Sequence, residues 1–103
     1  MLSDSQRATY SWQLDIPGLG EAGQSRLGET TALVSRVGGL GGPLAMSLAA
    51  AGIGRIILVH GGNLHESDLN RQTLMSRDWI GRPRADCAAE TIARFNPEIE
   101  VVP

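Results

Sequence analysis

Apolar and small residues in the middle of the chain follow a strand–turn–helix–strand pattern. Residues 31–34 are apolar and partly β-branched, which predicts a strand. Residues 44–51, after a glycine-rich turn, are apolar on every face and predict a helix that is buried on several sides. Residues 55–59 are continuously hydrophobic after Arg55, as the buried strands of parallel sheets are. The pattern therefore predicts one β-α-β unit over residues 31–59, with the usual right-handed crossover.

Weaker signals lie on the amino-terminal side of this unit. Ser3 or Asp4 is the predicted cap of a first short helix, and Gly28 is predicted to close a second one. Four elements are predicted here: a helix at residues 3–9, an extended or irregular segment at 10–14, a loop at 15–20 and a helix at 21–27.

The carboxyl-terminal side is predicted to add a second helix and a third strand to the unit. Pro83 is predicted to lie in the first turn of this helix, and Ile92 and Phe95 fall on one apolar face together with alanines. The predicted elements are a polar stretch at residues 60–67, a short helical turn at 68–75, a helix at 82–95 and a strand that begins at residue 99.

Composition narrows the class of protein. A chain of 103 residues has room for one small domain, and 42% hydrophobic residues indicate a folded one. The net charge of -2 provides no basic field, so we expect no nucleic-acid partner. There is no apolar run of the length of a membrane span and no signal-peptide core, so we expect a cytoplasmic protein. The single cysteine, Cys87, excludes an internal disulfide and is predicted to be a buried structural thiol.

Size leads to one further expectation about the domain. Two or three parallel strands with few helices rarely stabilise a monomer of this length. We therefore expect residues 1–103 to be the N-terminal portion of a single, longer domain, or to need a partner chain. Residues 1–103 alone are predicted to unfold without a sharp cooperative transition.

The glycine-rich turn Val37-Gly38-Gly39-Leu40-Gly41-Gly42-Pro43 is the main candidate for chemistry. A strand, a glycine turn and a helix aim backbone N–H groups and a helix N-terminus at a phosphate. The alternative is a tight turn that binds no ligand. Arg36, just before the turn, either fills the groove or pairs with a phosphate. The predicted nucleotide-binding residues in the turn are Gly38, Gly39, Leu40 and Gly41.

A succession of motifs resembles the N-terminal part of the ThiF/MoeB/HesA family, the bacterial relatives of ubiquitin-activating enzymes. The resemblance covers nearly the whole chain and implies a Rossmann-like, doubly wound parallel α/β sheet. The motifs that carry it are Tyr10-Ser11-Trp12-Gln13, Gly18-Leu19-Gly20-Glu21-Ala22-Gly23-Gln24, the glycine turn, Ala50-Ala51-Gly52-Ile53-Gly54, Leu69-Asn70-Arg71-Gln72, Ile80-Gly81-Arg82-Pro83 and Phe95-Asn96-Pro97.

This resemblance implies a function. It implies an ATP-dependent adenylyltransferase that uses ATP and Mg²⁺ to activate the C-terminal glycine of a ubiquitin-like sulfur carrier, similar to ThiS or MoaD. It also implies a homodimer. The alternative is a degenerate, non-catalytic member that serves as a dimerisation or carrier-binding module. A dinucleotide-dependent oxidoreductase is disfavoured, because that fingerprint expects an acid where this chain has His60.

The resemblance also implies roles for residues beyond the turn. Arg71 and Arg84 are the candidate catalytic residues, because they would offset charge on the α-phosphate. Arg71 and Gln72 match the family motif, whereas Arg84 stands in place of a lysine. The alternative for Arg71 is a surface arginine paired with Asp68 or Asp78. The predicted nucleotide-binding residues after the turn are His60, Asp68, Arg71, Gln72 and Arg84.

Several positions depart from the family pattern. Arg36 stands where the family has a glycine, and Trp12 where it has an arginine that reaches the neighbouring subunit. His60 replaces the aspartate that binds the ribose, and it would either hydrogen-bond a ribose hydroxyl or face solvent. Gly62 stands at a second aspartate position and Asp68 at an asparagine position. No set of metal ligands is predicted in this chain, and the aspartate that completes the family's magnesium site would follow Pro103.

Overall fold

The sheet has three parallel strands. A computed structural model describes residues 2–103. The strands β1 (Thr31–Ser35), β2 (Arg55–Val59) and β3 (Glu100–Val102) lie in the order β1-β2-β3. Val34 pairs with Leu58, and Ile56 pairs with Val101. The predicted β-α-β unit and the third strand are therefore confirmed.

Three short helices precede the sheet: α1 (Asp4–Thr9), α2 (Ser11–Leu14) and α3 (Gly20–Gly28). Ser3, one of the two predicted caps, closes the start of α1 through a capping box with Gln6. The prediction of an extended or irregular segment at residues 10–14 was wrong, because Ser11–Leu14 is a helical turn. Contacts that are distant in sequence hold this turn: the Tyr10 hydroxyl accepts a hydrogen bond from Asn96 at 2.8 Å.

Helices α4 (Gly41–Ala51) and α5 (Arg84–Phe95) connect the strands and share one face of the sheet with the core. Both crossovers move the chain in the same direction across the sheet, and right-handed crossovers then place both helices on the same side. Small side chains let the helices lie close to the strands. The buried core consists of Val34, Val37, Ala45, Ala49, Ile53, Ile56, Leu58, Leu74, Ala88, Ala89 and Ile92.

The second face of the sheet has little cover from residues 2–103. Leu33 is 62% exposed and Val59 is 50% exposed, whereas Ile56 on the covered face is buried. The expectation that residues 44–51 are buried on several sides was wrong within this part of the chain, because Leu44 is 53% exposed. Phe95, predicted to share the apolar face of its helix with Ile92, is also exposed. One layer of helices can bury only one face of the strands.

The segment between β2 and α5 is irregular and contains two 3₁₀ turns, Glu66–Asn70 and Arg77–Trp79. The predicted helical turn at residues 68–75 therefore begins two residues early and is shorter. Helix α5 begins at Arg84, and Pro83 is its N-cap instead of lying inside the first turn. Among the helices of residues 2–103, none has the length and apolar character needed to cross a bilayer.

Candidate functional site

A pocket of about 450 Å³ lies where β1 and β2 end at the carboxyl edge of the sheet. Doubly wound folds bind ligands at this edge. The pocket brings together every residue predicted as nucleotide-binding, although these residues come from separate segments of the chain. Arg36 and Ser35 line it as well; no sequence signal indicated Ser35. The lining residues are Ser35, Arg36, Gly38, Gly39, Leu40, Gly41, His60, Asp68, Arg71, Gln72 and Arg84.

Backbone amides of the glycine turn provide donors at this pocket. Between Gly38 and Gly41, none of the backbone N–H groups donates to another residue of the described chain, residues 2–103. The following helix, α4, starts with no side-chain cap and no acidic residue in its first turn. Its first N–H groups and the positive end of its dipole are therefore not neutralised by a side chain. This arrangement favours an anion.

The tightness of the turn depends on Gly41 and Arg36. A Cβ atom at Gly41 would overlap the carbonyl oxygen of Arg36, so only glycine fits there without a shift of the backbone. Arg36 has a φ of 69°, and it is the one non-glycine residue with positive φ in the described chain, residues 2–103. A side chain in this left-handed conformation is strained by roughly 1–2 kcal/mol. The strand therefore ends in a sharp turn that carries an arginine.

Asp68 is the buried centre of the hydrogen-bond network under the pocket. The residue is 4% exposed. Oδ2 accepts hydrogen bonds from the backbone N–H of His65 at 2.9 Å and from Arg84 Nε at 2.9 Å, while Oδ1 accepts one from Gln72 Nε2 at 3.1 Å. The His65 amide and then the Arg84 guanidinium lower the pKa of the Asp68 carboxyl, against the opposing effect of burial. Asp68 is thus an ionised anchor and is not placed to act as a free base.

Arg84 is held by Asp68 and occupies the space beside Gly62. Its Nη1 donates to the carbonyl of Gly61 at 3.1 Å, and its Nη2 lies 2.9 Å from Asp68 Oδ2. A Cβ at Gly62 would lie 2.7 Å from Arg84 Nη1, and Gly62 has a φ of 79°. Glycine at position 62 and arginine at position 84 therefore fit each other physically.

Arg71 reaches the glycine turn from the first 3₁₀ turn. A Cβ at Gly39 would lie 3.6 Å from Arg71 Cγ, so the side-chain stem runs beside the turn. Its Nη1 donates to Asn70 Oδ1 at 2.9 Å, and its Nη2 lies 3.8 Å from Asp68 Oδ1. The predicted alternative pairing with Asp68 is therefore present, but the long distance and the exposed side chain leave the guanidinium accessible.

His60 is not the solvent-facing residue of the alternative prediction. It is partly buried, and its Nδ1 accepts a hydrogen bond at 3.1 Å from the backbone N–H of Val37. Because Nδ1 accepts, the neutral ring carries its proton on Nε2. Burial, followed by the positive charges of Arg84 and Arg36, lowers the pKa of His60. The imidazole is therefore neutral and provides a donor at Nε2.

The fit of a metal ion to these residues is poor. In the described part of the chain, residues 2–103, there is no cluster of three or more histidine, cysteine, aspartate or glutamate side chains that could hold one. The pocket has a single carboxylate, Asp68, whose oxygens already accept hydrogen bonds from protein donors. We therefore assign no magnesium ligand within these residues. Cys87 is fully buried as predicted, and burial raises the pKa of its thiol.

The parallel strands, glycine turn and arginine-lined pocket define a Rossmann-like α/β protein whose pocket donors favour an anion. The ThiF family profile matches residues 10–103. The chain belongs to the ThiF family.

Similar proteins agree with this assignment. The chain is 50% identical over 100 residues to Protein HesA, heterocyst, of Trichormus variabilis, and the alignment covers 97% of this chain and 38% of that protein. It is 42% identical over 102 residues to adenylyltransferase and sulfurtransferase MOCS3 of Sus scrofa, and this alignment covers 99% of this chain and 22% of that protein. The solved structure of E. coli tRNA N6-threonylcarbamoyladenosine dehydratase, TcdA, in complex with AMP superposes with a TM-score of 0.88 at 30% identity, over 99% of this chain and 41% of that chain. The chain spans less than half the length of each.

Proposed function

We propose that residues 1–103 form the N-terminal portion of the nucleotide-binding domain of an ATP-dependent adenylyltransferase. Its substrate in this proposal is the C-terminal glycine of a ubiquitin-like sulfur carrier. The observation that carries the proposal is the juxtaposition of free backbone amides at Gly38–Gly41 with Arg71 and Arg84 in one pocket. Neutral donors and cations at a helix N-terminus favour a polyphosphate.

The chemistry assigned to the pocket is electrostatic. A carboxylate oxygen of the carrier's C-terminal glycine attacks the α-phosphorus of ATP. A new P–O bond forms, the bond between the α-phosphorus and the bridging oxygen breaks, and pyrophosphate leaves with that electron pair. The turn amides hold phosphate oxygens, and Arg71 offsets the charge that develops on them. No proton transfer is needed, so the engagement of Asp68 with Arg84 does not obstruct this step.

Two of the comparisons support an adenine nucleotide as ligand. MOCS3 is named as an adenylyltransferase, and the TcdA structure contains AMP. The carrier protein, a homodimer and a cytoplasmic location are proposed on the motif resemblance. Mg²⁺ is proposed on the same ground, with ligands outside the residues described here.

The second candidate is a non-catalytic family member that binds a carrier or dimerises. One observation favours it: Arg84 already bonds Asp68 and Gly61, so only part of its positive charge is available to a phosphate. The adenylyltransferase candidate therefore requires that Arg71 and the turn amides stabilise the phosphate charge with only partial help from Arg84.

Pyrophosphate exchange separates the two candidates. The full-length protein is incubated with ATP, radiolabelled pyrophosphate, Mg²⁺ and a ThiS- or MoaD-like carrier. An adenylyltransferase returns label to ATP, and Arg71→Ala reduces the rate by roughly 10²-fold or more, the cost of one transition-state donor. Arg77→Ala is the matched control, because Arg77 is an exposed arginine that pairs with Glu66 outside the pocket. Carrier binding without any exchange would instead establish the non-catalytic candidate.

A further inference from the structure

The end of the pocket beside β2, as formed by residues 2–103, presents hydrogen-bond donors and no free carboxylate. His60 follows the last residue of β2, and its Nδ1 is already occupied by the amide of Val37. The Nε2–H group of His60 is therefore the ring donor that a ligand can contact. A carboxylate at this position would accept hydrogen bonds from two hydroxyls, but a neutral imidazole held in this tautomer accepts none from the ligand.

Arg36 adds a positive charge to the same end. Its guanidinium forms no ion pair and no hydrogen bond with the residues that the structure describes, 2–103. It lies near enough to His60 to lower the pKa of the imidazole. Its left-handed backbone, φ 69°, is a conformation that costs energy and that glycine would adopt freely. A strained residue with an unpaired charge in a pocket is the pattern of a ligand contact.

Within the described residues, the pocket has no free acidic side chain to balance this charge. Three arginines line it, against Asp68 alone. That carboxylate is buried and lies under the Arg84 guanidinium, 2.9 Å from both Nε and Nη2. Arg36 therefore has no anionic partner in the pocket of residues 2–103, and an anionic ligand would supply one.

We propose that Arg36 and His60 form a subsite for a phosphate carried on the ribose of the bound nucleotide. In Rossmann-like folds the residue after the second strand meets the ribose: an acid there binds free hydroxyls, whereas a nearby arginine accommodates a ribose phosphate. This chain has the second arrangement, with a donor from His60 and a bidentate cation from Arg36. The favoured ligand class is an adenine nucleotide with phosphates at both the 5′ position and the ribose 2′ or 3′ position.

This inference rests on the proposed nucleotide pocket and refines its ligand. ATP remains compatible, because ribose hydroxyls also accept hydrogen bonds from the Nε2–H of His60. A ribose phosphate gains the additional charge-assisted contact to Arg36, so a bisphosphorylated nucleotide competes with ATP for the pocket.

Calorimetric titration of the full-length protein tests the subsite. The probes are AMP, adenosine 2′,5′-bisphosphate and adenosine 3′,5′-bisphosphate at one fixed ionic strength. At least one bisphosphate is expected to bind about tenfold to one-hundredfold more tightly than AMP, the gain of a charged hydrogen bond. Which of the two gains more identifies the ribose position that is recognised.

Variants of Arg36 locate the effect. Arg36→Gly suits the positive φ, so the fold is retained, and it should remove the bisphosphate preference by weakening the bisphosphate much more than AMP. Arg36→Lys keeps the charge and should retain part of the preference. Equal affinity for AMP and both bisphosphates overturns the inference. So does an equal loss of all three ligands in Arg36→Gly, because Arg36 would then contact the 5′-phosphate.

The nucleotide titration and the pyrophosphate-exchange assay test the subsite and the adenylyltransferase separately. Pyrophosphate exchange without a bisphosphate preference retains the adenylyltransferase and removes the subsite. If the protein prefers a bisphosphate through Arg36 but shows no pyrophosphate exchange, the adenylyltransferase proposal fails and the subsite proposal stands.

Discussion

Replacing Asp68 with asparagine tests the network that holds the pocket together. The carboxylate accepts hydrogen bonds from His65, Gln72 and Arg84 while the residue is 4% exposed. Asparagine retains one acceptor oxygen and turns an NH₂ group toward groups that are themselves donors. Breaking a buried ion pair costs about 3–5 kcal/mol. The side chain of Arg84 is 18% exposed and also bonds Gly61, which moderates the penalty. We expect Asp68→Asn to lower the free energy of unfolding by about 2–3 kcal/mol.

The effect has a defined pH dependence. The pKa of the Asp68 carboxyl is lowered in the folded protein, first by the His65 amide and then by Arg84. A lowered pKa means that the stabilisation is fully present above the unfolded-state pKa of about 4 and is lost as the pH falls through the folded-state value. The difference in unfolding free energy between wild type and Asp68→Asn should therefore be constant from pH 5 to 7 and narrow below about pH 4.

Urea unfolding of the full-length protein, followed by circular dichroism, measures the effect. A double-mutant cycle with Arg84→Gln should give a coupling energy above about 1 kcal/mol, because the two side chains are in direct contact. Glu66→Gln is the control: Glu66 pairs with Arg77 on the surface, and its loss should change stability by less than about 1 kcal/mol. Additive effects of Asp68→Asn and Arg84→Gln, or an Asp68→Asn variant as stable as Glu66→Gln, would refute the network.

Two further predictions concern the glycine turn and His60. Gly41→Ala should lower the melting temperature by several degrees, since its Cβ overlaps the Arg36 carbonyl oxygen and costs roughly 1–3 kcal/mol. Gly61→Ala, whose Cβ would meet nothing within 4 Å, should melt within about two degrees of wild type, and equal melting of the two variants would contradict the prediction. NMR titration of His60 should give a pKa below its ordinary value of 6.5, with stability falling as the pH drops below about 6.5 because the unfolded state binds the proton first. A value at or above 6.5 would contradict the burial of the ring and its exposure to the charges of Arg84 and Arg36.

The central part of the fold could be predicted because its determinants are local. Apolar runs of strand length, a glycine turn and an alanine-rich helix determine residues 31–59 by their order alone. The resemblance to the ThiF family then identified residues that meet in one pocket, although Gly38 and Arg84 are far apart in the chain.

Other features depend on contacts that no local pattern contains. The helical turn Ser11–Leu14 follows Tyr10, whose hydroxyl is held by Asn96, 86 residues away. The tautomer of His60 is determined by the Val37 amide, 23 residues away. Exposure of Phe95 depends on which face of α5 meets the sheet. Sequence periodicity describes one element at a time, and these features arise between elements.

The close contact between Gly62 and Arg84 couples the effects of substitutions at these two positions. A side chain at position 62 would meet Nη1 of Arg84 at 2.7 Å, and the backbone there has a positive φ. A side chain at position 62 would therefore have to displace the Arg84 guanidinium, which is bonded to Asp68 and Gly61, and the positive φ would add backbone strain. A substitution at position 62 should consequently have a different effect on stability once Arg84 has been replaced.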